Sequence, residues 1–489
     1  MDIKEWLPVF KVSSESDKDL MKYFVKTKYL NDIVEGDKWI VLGRKGTGKT
    51  AIFEYLKNVE SNYINNYITV PLNFSDYPWP IHRIYKETME GELTAYQKSW
   101  KYLFVVQSIS KLIEMRELNG ETIKEDLAEA KKVLSSLYGN PSPTLVDVIK
   151  SKFSRVQTIG TPNLSFLGIE GSFGEISFEE INSSEKLKQQ LKSNAFRLLD
   201  YFEGVLINNL KKEKIFIILD QLDESWLNSE IEEYSKILIN LINTCKMINT
   251  NEIYNNKLKV VPFLRTDIYE TLHFNDKNKI YQDNATEIMW NEDSLNDMFV
   301  ERITNYKPEQ VDLELQNKTD CLFEVRYVRH GATPFKHIIR RSFLRPRDII
   351  VYLNKINETH TETKTGLFSS KDLYAAEKDF SVSIYNEIID EWINQKPEIA
   401  ELLAVLQNIG YQTFKYTDFE SKYISAFTEN SSKVKSELNF LFHNSIVGQK
   451  INANWEYQCG NPYMTIDFEK EFHVNSALKS RLMLTEGQA

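Results

Sequence analysis

The sequence predicts an α/β protein whose core is a parallel sheet, and three observations support this prediction. Short apolar runs recur along the chain, helical patterns lie between them, and a glycine-rich segment directly follows the first run. Strands that alternate with helices are typical of α/β folds, and runs this apolar are typical of strands buried on both faces. The predicted strands are "KWIVL" (38–42), "YITVPL" (67–72), "IFIIL" (215–219), "KVVPFL" (259–264) and "EIMW" (287–290).

The composition is that of a soluble globular protein, with 42% hydrophobic and 27% charged residues among 489. The net charge of −10 means that any contact with nucleic acid must be local. The three cysteines form no CxxC pair, so neither a zinc ribbon nor a disulfide framework is indicated. The N-terminus does not resemble a signal peptide, and no run reaches about 18 apolar residues. We therefore expect a cytoplasmic protein without a membrane segment.

The spacing of the runs also predicts the organisation of the chain. We assign residues 1–75 and 200–300 to the sheet-containing core. The gap between the second and third runs is too long for one crossover, so residues 76–199 are predicted to be a mostly helical insertion. Beyond residue 300 the pattern is helical to about residue 440, and residues 455–467 suggest two short strands around a Gly-Asn-Pro turn.

The segment "GRKGTGKT" (43–50) fits the phosphate-loop pattern G-x-x-x-x-G-K-[ST] at every fixed position. An apolar run precedes it and an amphipathic helix follows, which is the context that a phosphate loop requires. Lys49 is expected to reach the β- and γ-phosphates of ATP, and the Thr50 hydroxyl to bind Mg²⁺. The alternative is a glycine turn that fits the pattern by chance. The residues expected to bind nucleotide are Gly43, Arg44, Lys45, Gly46, Thr47, Gly48, Lys49, Thr50 and Ala51.

The third run ends in Asp220, within "IFIILDQLDESW" (215–226). Ligands of open α/β sheets bind at the carboxyl ends of the strands. Asp220 is therefore the candidate carboxylate for Mg²⁺, usually through a water molecule. The alternative is a solvated acidic loop.

The base that activates the attacking water is less clearly marked. Many hydrolysing P-loop proteins carry an acid directly after the metal-binding aspartate, and here Gln221 occupies that position. Asp223 and Glu224 follow, and we rank Glu224 first because its side chain reaches further. The alternative is that both are surface acids and that hydrolysis is slow.

Three arginines are candidates for sensing the γ-phosphate. Arg265 follows the fourth run, where it either approaches the phosphate or pairs with an acid. Arg345 and Arg347 flank a proline at the predicted start of an amphipathic helix in "LRPRDIIVYLN" (344–354). An arginine there, Arg347 above all, could reach nucleotide from a helical lid or from a neighbouring subunit. The alternative is a salt-bridged helix start involving Asp348.

With these residues, the chain resembles the bacterial P-loop ATPases that carry an additional strand between the phosphate-loop strand and the metal strand. Within that class it is similar to the AAA-like, STAND- and KAP-related proteins of defence and signalling loci. The resemblance implies a sheet ordered 5-1-4-3-2, a helical lid at 301–375, and a helical linker plus a winged-helix-like domain at 376–489. It rests on GRKGTGKT, IFIILDQLDESW, FLRTDIY, "IMWNEDSLNDMFVERI" (288–303) and LRPRDII.

The winged helix would comprise three helices, in "EIAELLAVLQNIG", "YTDFESKYISAF" and "KVKSELNFLFHNSIV", followed by a strand pair around Gly460-Asn461-Pro462. The third helix of a winged helix can read DNA. Here it offers only Lys433 and Lys435, with Glu437 beside them, so we favour a regulatory or protein-docking domain over a DNA-reading one.

The function expected from these observations is a cytoplasmic ATP-binding and ATP-hydrolysing switch or motor, with ATP and Mg²⁺ as its ligands. The resemblance implies a homo-oligomer with an effector partner, and a role in an antiviral defence or signalling assembly. Two alternatives stay open, a DNA-engaging ATPase and a scaffold that holds nucleotide without hydrolysing it. GTP is not favoured, because the sequence contains no N-K-x-D motif.

Overall fold

The computed structural model describes ten segments of the chain, which form two compact units. The C-terminal unit contains residues 1–26, 43–51 and 288–489, and the sheet unit contains 27–42 and 52–287. No helix among the described segments is long and apolar enough to cross a membrane. Within the predicted insertion, residues 76–91 and 144–184 lie outside these segments. The segments are 1–59, 67–75, 92–143, 185–210, 214–223, 231–254, 256–309, 315–427, 431–452 and 454–488.

Helices and strands are numbered here along the described chain. The α-helices are α1 (Ile3–Trp6), α2 (Leu20–Tyr23), α3 (Lys28–Val34), α4 (Lys49–Asn58), α5 (Glu92–Leu118), α6 (Glu125–Tyr138), α7 (Glu185–Asn209), α8 (Ile231–Thr250), α9 (Thr266–Thr271), α10 (Lys277–Asn284), α11 (Glu292–Tyr306), α12 (Pro334–Ile339), α13 (Pro346–Thr359), α14 (Ser370–Trp392), α15 (Ile399–Ile409), α16 (Tyr416–Ala426) and α17 (Val434–His443). The strands are β1 (Ile40–Leu42), β2 (Tyr67–Asn73), β3 (Lys214–Asp220), β4 (Leu258–Leu264), β5 (Ala285–Glu287), β6 (Tyr411–Phe414), β7 (Val447–Ile451), β8 (Asn454–Glu456), β9 (Phe472–Val474) and β10 (Thr485–Gln488).

The sheet unit is built on a five-stranded parallel sheet of order β2-β3-β4-β1-β5. Read from the other edge, this is the predicted order 5-1-4-3-2, with β4 and β3 between β1 and β2. The α/β P-loop fold is therefore confirmed by the strand order itself. Because all strands are parallel, their carboxyl ends lie along one edge, with Leu42 in register with Leu264 and Glu287.

Four of the five predicted strands form where the apolar runs lie, and the fifth is displaced. β1 is fully buried along its length, as expected of an inner parallel strand. The fifth strand is Ala285–Glu287 rather than 287–290. It pairs with β1 alone at the sheet edge, so it does not need the apolar sequence that inner strands require. The neighbouring Trp290 instead donates a hydrogen bond from Nε1 to the carbonyl of Thr47 at 2.8 Å.

The described residues between β2 and β3 are mainly helical, as predicted. They form α5, α6 and α7, and α5 packs against α8 of the same unit. Trp100 of α5 is fully buried and donates from Nε1 to the carbonyl of Ile237 at 3.3 Å. The amine of Lys101 on α5 forms an ion pair with the carboxylate of Glu203 on α7, at a distance of 2.7 Å. The insertion therefore shares the core of the sheet unit.

The C-terminal unit has one hydrophobic core, to which α13 and α14 contribute a stacked pair, Tyr352 and Phe380, with ring centroids 4.4 Å apart. The N-terminal arm packs on α13 through hydrogen bonds between its backbone and two asparagine side chains of the helix. Asn354 donates to the carbonyl of Phe10 and accepts from its N–H, each at 2.8 Å, and Asn357 donates to the carbonyl of Leu7 at 3.0 Å. The amide of Asn354 is thus satisfied on both sides, and this buried residue fixes the arm on the helix.

The last part of the C-terminal unit is a winged helix. Its elements run α15, β6, α16, α17, β7 and β9, and β9 pairs antiparallel with both β6 and β7. The segment between β7 and β9 is the wing, in which β8 folds back on β7. The predicted winged-helix-like domain is therefore present.

The predicted strand pair around Gly460-Asn461-Pro462 is wrong. Of the two strands, only β8 forms, and it precedes the turn. After the turn, the side chain of Gln449 binds both backbone groups of Asp467, donating to its carbonyl at 2.6 Å and accepting from its N–H at 2.9 Å. A side-chain amide thus replaces the ladder that a second strand would have formed.

His473 on β9 makes the stability of the winged helix dependent on pH. Its ring stacks on that of Trp455 with the ring centroids 4.6 Å apart, and its Nδ1 atom lies 2.7 Å from the hydroxyl of Tyr457. Burial, and then the charge of Lys479, lower the pKa of His473 to about 4. The neutral ring is therefore the form that the folded state favours.

We expect acid to destabilise this domain through His473. The folded pKa lies below the unfolded value of 6.5, so the unfolded chain binds more protons as the pH falls from 6.5 towards 4. This coupling removes about 2–3 kcal/mol of unfolding free energy between pH 7 and 4.5. Urea titrations at both pH values measure it. The His473→Gln variant should lose this pH-dependent change in unfolding free energy, whereas the control His273→Gln, at an exposed position, should keep it. Equal pH dependence in the wild type and both variants would contradict the assignment to His473.

Candidate nucleotide-binding site

The loop between β1 and α4 has a backbone that requires glycine. Gly46 and Gly48 have φ values of 81° and 97°, a left-handed conformation that other residues adopt only with strain. A Cβ atom added at Gly43 would lie 2.5 Å from Thr47 Oγ1. The backbone therefore favours glycine at Gly46 and Gly48, and the side chain of Thr47 leaves little room for a Cβ atom at Gly43, so the chance glycine turn is the weaker interpretation.

The loop has hydrogen-bond donors that fit an anion. Among the described residues, the N–H groups of Gly46 and Gly48 donate to no backbone carbonyl. The first N–H groups of α4 also have no partner inside the helix, and they lie at its positive end. Lys49 Nζ donates to the carbonyls of Gly43 and Arg44 at 2.8 and 3.2 Å. The donor set suits the phosphates of a nucleotide.

Two side chains fix the loop within the C-terminal unit. Trp290 binds the carbonyl of Thr47, and Arg44 Nη2 donates to the carbonyl of His443 at 2.6 Å. His443 is the last residue of α17, so the arginine caps the C-terminal end of that helix. Sequence reasoning assigned a role to neither Trp290 nor His443, because both contacts join residues far apart in the chain.

Arg345 lies in a buried ionic cluster at the start of α13. Its guanidinium is 3.0 Å from Asp348 and 3.5 Å from Glu391. Nη1 also donates to the carbonyl of Lys45 in the loop at 3.3 Å. Burial alone would lower the pKa of Arg345, but the negative charges of Asp348, Glu387 and Glu391 outweigh burial and raise it. The residue is therefore a permanent cation.

Arg347, two residues further along the chain, also approaches the loop. Its N–H is 3.5 Å from the carbonyl of Gly46, a long contact, and a Cβ atom at Gly46 would be 3.2 Å from Arg347 Cβ. Nη1 donates to Glu387 at 2.9 Å. Burial raises the pKa of Glu387, but Arg345 and Arg347 more than offset this, and the pKa lies below its ordinary value. Arg347 therefore takes part in a salt bridge at the start of the helix and also lies close to the phosphate loop.

Glu387 and Glu391 are site residues that sequence reasoning missed. They lie one turn apart on α14, where Glu387 is close to both arginines and Glu391 is close to Arg345. The available signal was their spacing of four residues on a predicted helix, which places both on one face. That spacing occurs on many solvated helices, so it could not identify their partners.

Asp220 is the last residue of β3 and is buried, with 2% exposure. Its carbonyl accepts the N–H of Phe74 at 3.1 Å, which extends the pairing of β3 with β2. Gln221 then has a φ of 61°, so the chain turns sharply directly after Asp220. Glu224, the preferred base, lies outside the described residues.

Arg265 forms ion pairs with acids of the sheet unit. It donates from Nε and Nη2 to Asp267 at 3.1 and 2.7 Å, and Asp223 lies 3.8 Å from Nη1. The pairing alternative considered for Arg265 is thus the arrangement observed. Beside it, Thr266 Oγ1 donates to Glu287 at 3.0 Å. This bond joins the ends of β4 and β5, the two strands that flank β1.

Comparisons with known proteins give distant matches. The family model described as the FunZ-associated C-terminal helical domain matches residues 293–389. The putative transposon gamma-delta 80.3 kDa protein of Escherichia coli strain K12 is 22% identical over 451 residues, which cover 89% of this chain. The chain spans 59% of the length of that relative.

Three solved structures are similar in fold. Cdc6p from Pyrobaculum aerophilum matches with a TM-score of 0.33 and 13% sequence identity, over 96% of this chain and 98% of the other. The Aeropyrum pernix ORC1 protein in complex with DNA matches with a TM-score of 0.36 and 11% identity, over 93% of this chain and 89% of the other. The Aeropyrum pernix ORC2 protein in ADPNP-ADP complexes matches with a TM-score of 0.32 and 11% identity, over 96% of this chain and 98% of the other. At these scores the strand order, rather than the likeness, carries the fold assignment. The STAND- and KAP-related subgroup stays a prediction.

The buried ionic cluster predicts a large loss of stability when Asp348 is removed. Asp348→Ala leaves the buried Arg345 without its nearest acid, and we expect the unfolding free energy to fall by about 3–5 kcal/mol. Urea unfolding of the full chain measures the loss. Glu358→Ala, which breaks the more exposed pair with Lys355 on the same helix, should cost about 1 kcal/mol or less. Equal losses in the two variants would contradict the role of the cluster.

Proposed function

We propose that the protein is an ATP-binding and ATP-hydrolysing switch. The observation that supports this most directly is the phosphate loop itself, whose left-handed glycines and helix N-terminus form an anion site. The same loop contacts α13 through Arg345 and Arg347 and caps α17 through Arg44. Nucleotide bound to the loop would therefore act directly on the helical part and on the winged helix.

Each predicted residue then has a role. Lys49 and the first N–H groups of α4 would bind the β- and γ-phosphates. Thr50 and Asp220 are the predicted protein ligands of Mg²⁺, which would neutralise phosphate charge. Asp223 is already engaged by Arg265, so Glu224 is the preferred base.

Lys49 provides the link between binding and movement. Its amine now holds the carbonyls of Gly43 and Arg44. A bound phosphate would compete for that amine and release both carbonyls. Because the side chain of Arg44 caps α17, a change in the loop backbone would alter that cap. Binding of nucleotide to the loop would thus change the structure of the winged helix at the end of α17.

The test of the proposed function measures ATP binding and turnover separately on the full chain. Lys49→Ala should abolish binding, because the β- and γ-phosphates lose their cation. Glu224→Gln should retain binding and lower turnover by about a hundredfold or more. The matched control is Lys57→Ala, which removes a cation from the last turn of the same helix.

The two activities separate the alternatives. A wild-type protein that binds ATP without turnover in any oligomeric state would be a scaffold. A protein that does not bind ATP–Mg²⁺ at all would refute the proposal.

A second test asks whether Arg347 acts on the nucleotide. Arg347→Ala should lower turnover by about tenfold or more, because the phosphate charge loses a cation. Glu387→Gln removes the acid that holds Arg347 but keeps the arginine, so it should retain most of the turnover. If both variants lose turnover equally, the ion pair matters only for structure. The exposed Arg326→Ala is the control.

The wider role rests on the resemblance described above. We infer a homo-oligomer that acts with an effector partner in a defence or signalling assembly, and native mass measured with and without an ATP analogue tests the oligomer. The third helix of the winged helix supports protein docking over DNA reading. Glu437 is buried and pairs with Lys396 at 2.6 Å, and the amine of Lys435 lies over the rings of Tyr416 and Phe468.

A further inference from the structure

A cleft of about 860 Å³ lies within the C-terminal unit, between residues 329–344 and the wing. It contains no residue of the phosphate loop. Clefts of this size hold small organic ligands. No motif found in the sequence points to it, because its two walls come from segments more than a hundred residues apart.

One wall of the cleft carries an excess of positive charge. It includes Arg329, Lys336, Arg340 and Arg341. Arg341 pairs with Glu377 at 3.1 Å, and Arg329 lies over the ring of Tyr374. Lys336 and Arg340 are exposed, and neither side chain forms a hydrogen bond or ion pair with a residue in the described segments. Two cations are thus available to a ligand.

The acids of the cleft do not cancel this charge. Glu456 accepts a hydrogen bond from Asn461 at 2.8 Å. Glu486 forms a close pair with Lys479 and lies 3.9 Å from His330. Among the described residues, neither acid pairs with Lys336 or Arg340. In a chain whose net charge is −10, such a local excess is a specific feature that favours a phosphate-bearing ligand.

The opposite wall presents a fixed aromatic surface. Trp455 stacks on His473 with ring planes 20° apart. The hydroxyl of Tyr457 holds the Nδ1 atom of His473 at 2.7 Å, and β8 carries Trp455 against β7. Trp455 is only partly buried. His473 stacks on its ring and the amine of Lys450 lies 5.9 Å from the ring centroid, so the part of the ring left open to a ligand lies beside that amine. Aromatic rings held in this way stack on nucleobases.

We propose that this cleft binds a nucleotide unit, with its phosphate on Lys336 and Arg340 and its base on Trp455. The unit is either a free nucleotide or part of a single strand of nucleic acid, since both present the same chemistry. A duplex hides its base faces and would not reach the tryptophan. This site is distinct from the phosphate loop.

The test measures binding of two probes to the full chain by fluorescence anisotropy. One is a labelled single strand of about twelve thymidines. The other is a labelled thymidine monophosphate, which lacks the β- and γ-phosphates that the phosphate loop is expected to require. Binding of the strand alone identifies nucleic acid as the source of the unit, and binding of the monophosphate identifies a free nucleotide. Binding of neither probe overturns the proposal.

Paired variants locate the site. Lys336→Ala with Arg340→Ala should weaken strand binding by about tenfold or more, and should reduce the slope of log K against log salt by about 1.4, which is two phosphate contacts at about 0.7 each. Arg326→Ala with Lys371→Ala removes two exposed cations of the same unit outside the cleft. This control should leave affinity and slope unchanged. Equal effects of the two double variants would overturn the proposal.

The aromatic contact has its own test. Trp455→Leu should weaken binding about 5- to 100-fold with no change in the salt slope, because stacking releases no counterions. Trp455→Phe keeps a ring and should recover most of the affinity, which separates stacking from a loss of folding. Equal affinity for duplex and single strand, or no effect of Trp455→Leu, would overturn the assignment.

Discussion

The ion pair between Arg345 and Asp348 is the contact on which the arrangement of the C-terminal unit most depends. Both groups are buried, with 6% and 0% exposure, and each ion costs several kcal/mol to remove from water. The pair is maintained because Asp348 also accepts the N–H of Phe343 at 2.7 Å and Arg345 also donates to the carbonyl of Lys45. Arg345 and Asp348 move with α13, so a displacement of the helix would instead break the contacts of Arg345 with the carbonyl of Lys45 and with Glu391 of α14. The helix is therefore held at one position on the phosphate loop.

The two arginines at the start of α13 differ in freedom, and this difference favours different roles for them. The side chain of Arg345 is 7% exposed and has three acids around it, whereas that of Arg347 is 30% exposed and is bonded to Glu387. A negative ligand at the loop would compete with one carboxylate for Arg347 but with a buried cluster for Arg345. Exchanging a carboxylate for a negative ligand therefore costs less free energy at Arg347 than at Arg345. Arg345 is suited to positioning the helix, and Arg347 to responding to charge.

The sequence was most informative where chemistry is local. The phosphate loop and its flanking strand and helix lie within about twenty residues, and the apolar runs identify inner strands because burial on both faces leaves no polar position. The strand order followed from the resemblance that these motifs support. β5 was misplaced because an edge strand carries no such signal, and Ile288–Trp290 beside it are more apolar than the strand itself.

What sequence reasoning missed depends on long-range contacts. Glu387 and Glu391 approach the loop only because α14 packs on α13, and the end of α17 meets Arg44 only through the tertiary fold. The wing was mispredicted for the same reason, since Gln449 rather than a strand holds Asp467. The acids that pair with Arg265 also depended on the tertiary fold, because only the structure shows Asp223 and Asp267 around it. Its role towards the γ-phosphate stays a prediction.

One short segment joins the phosphate loop to the cleft. Arg340 lines the cleft, Arg345 contacts the loop, and Leu344 between them has a φ of 52°, a strained value for leucine. On the loop side, the N–H of Phe343 is fixed by Asp348. A shift at either end must therefore be absorbed at Leu344 or passed along the segment. Because strained backbone persists only where its surroundings hold it, Leu344 is where a change in one site would first reach the other.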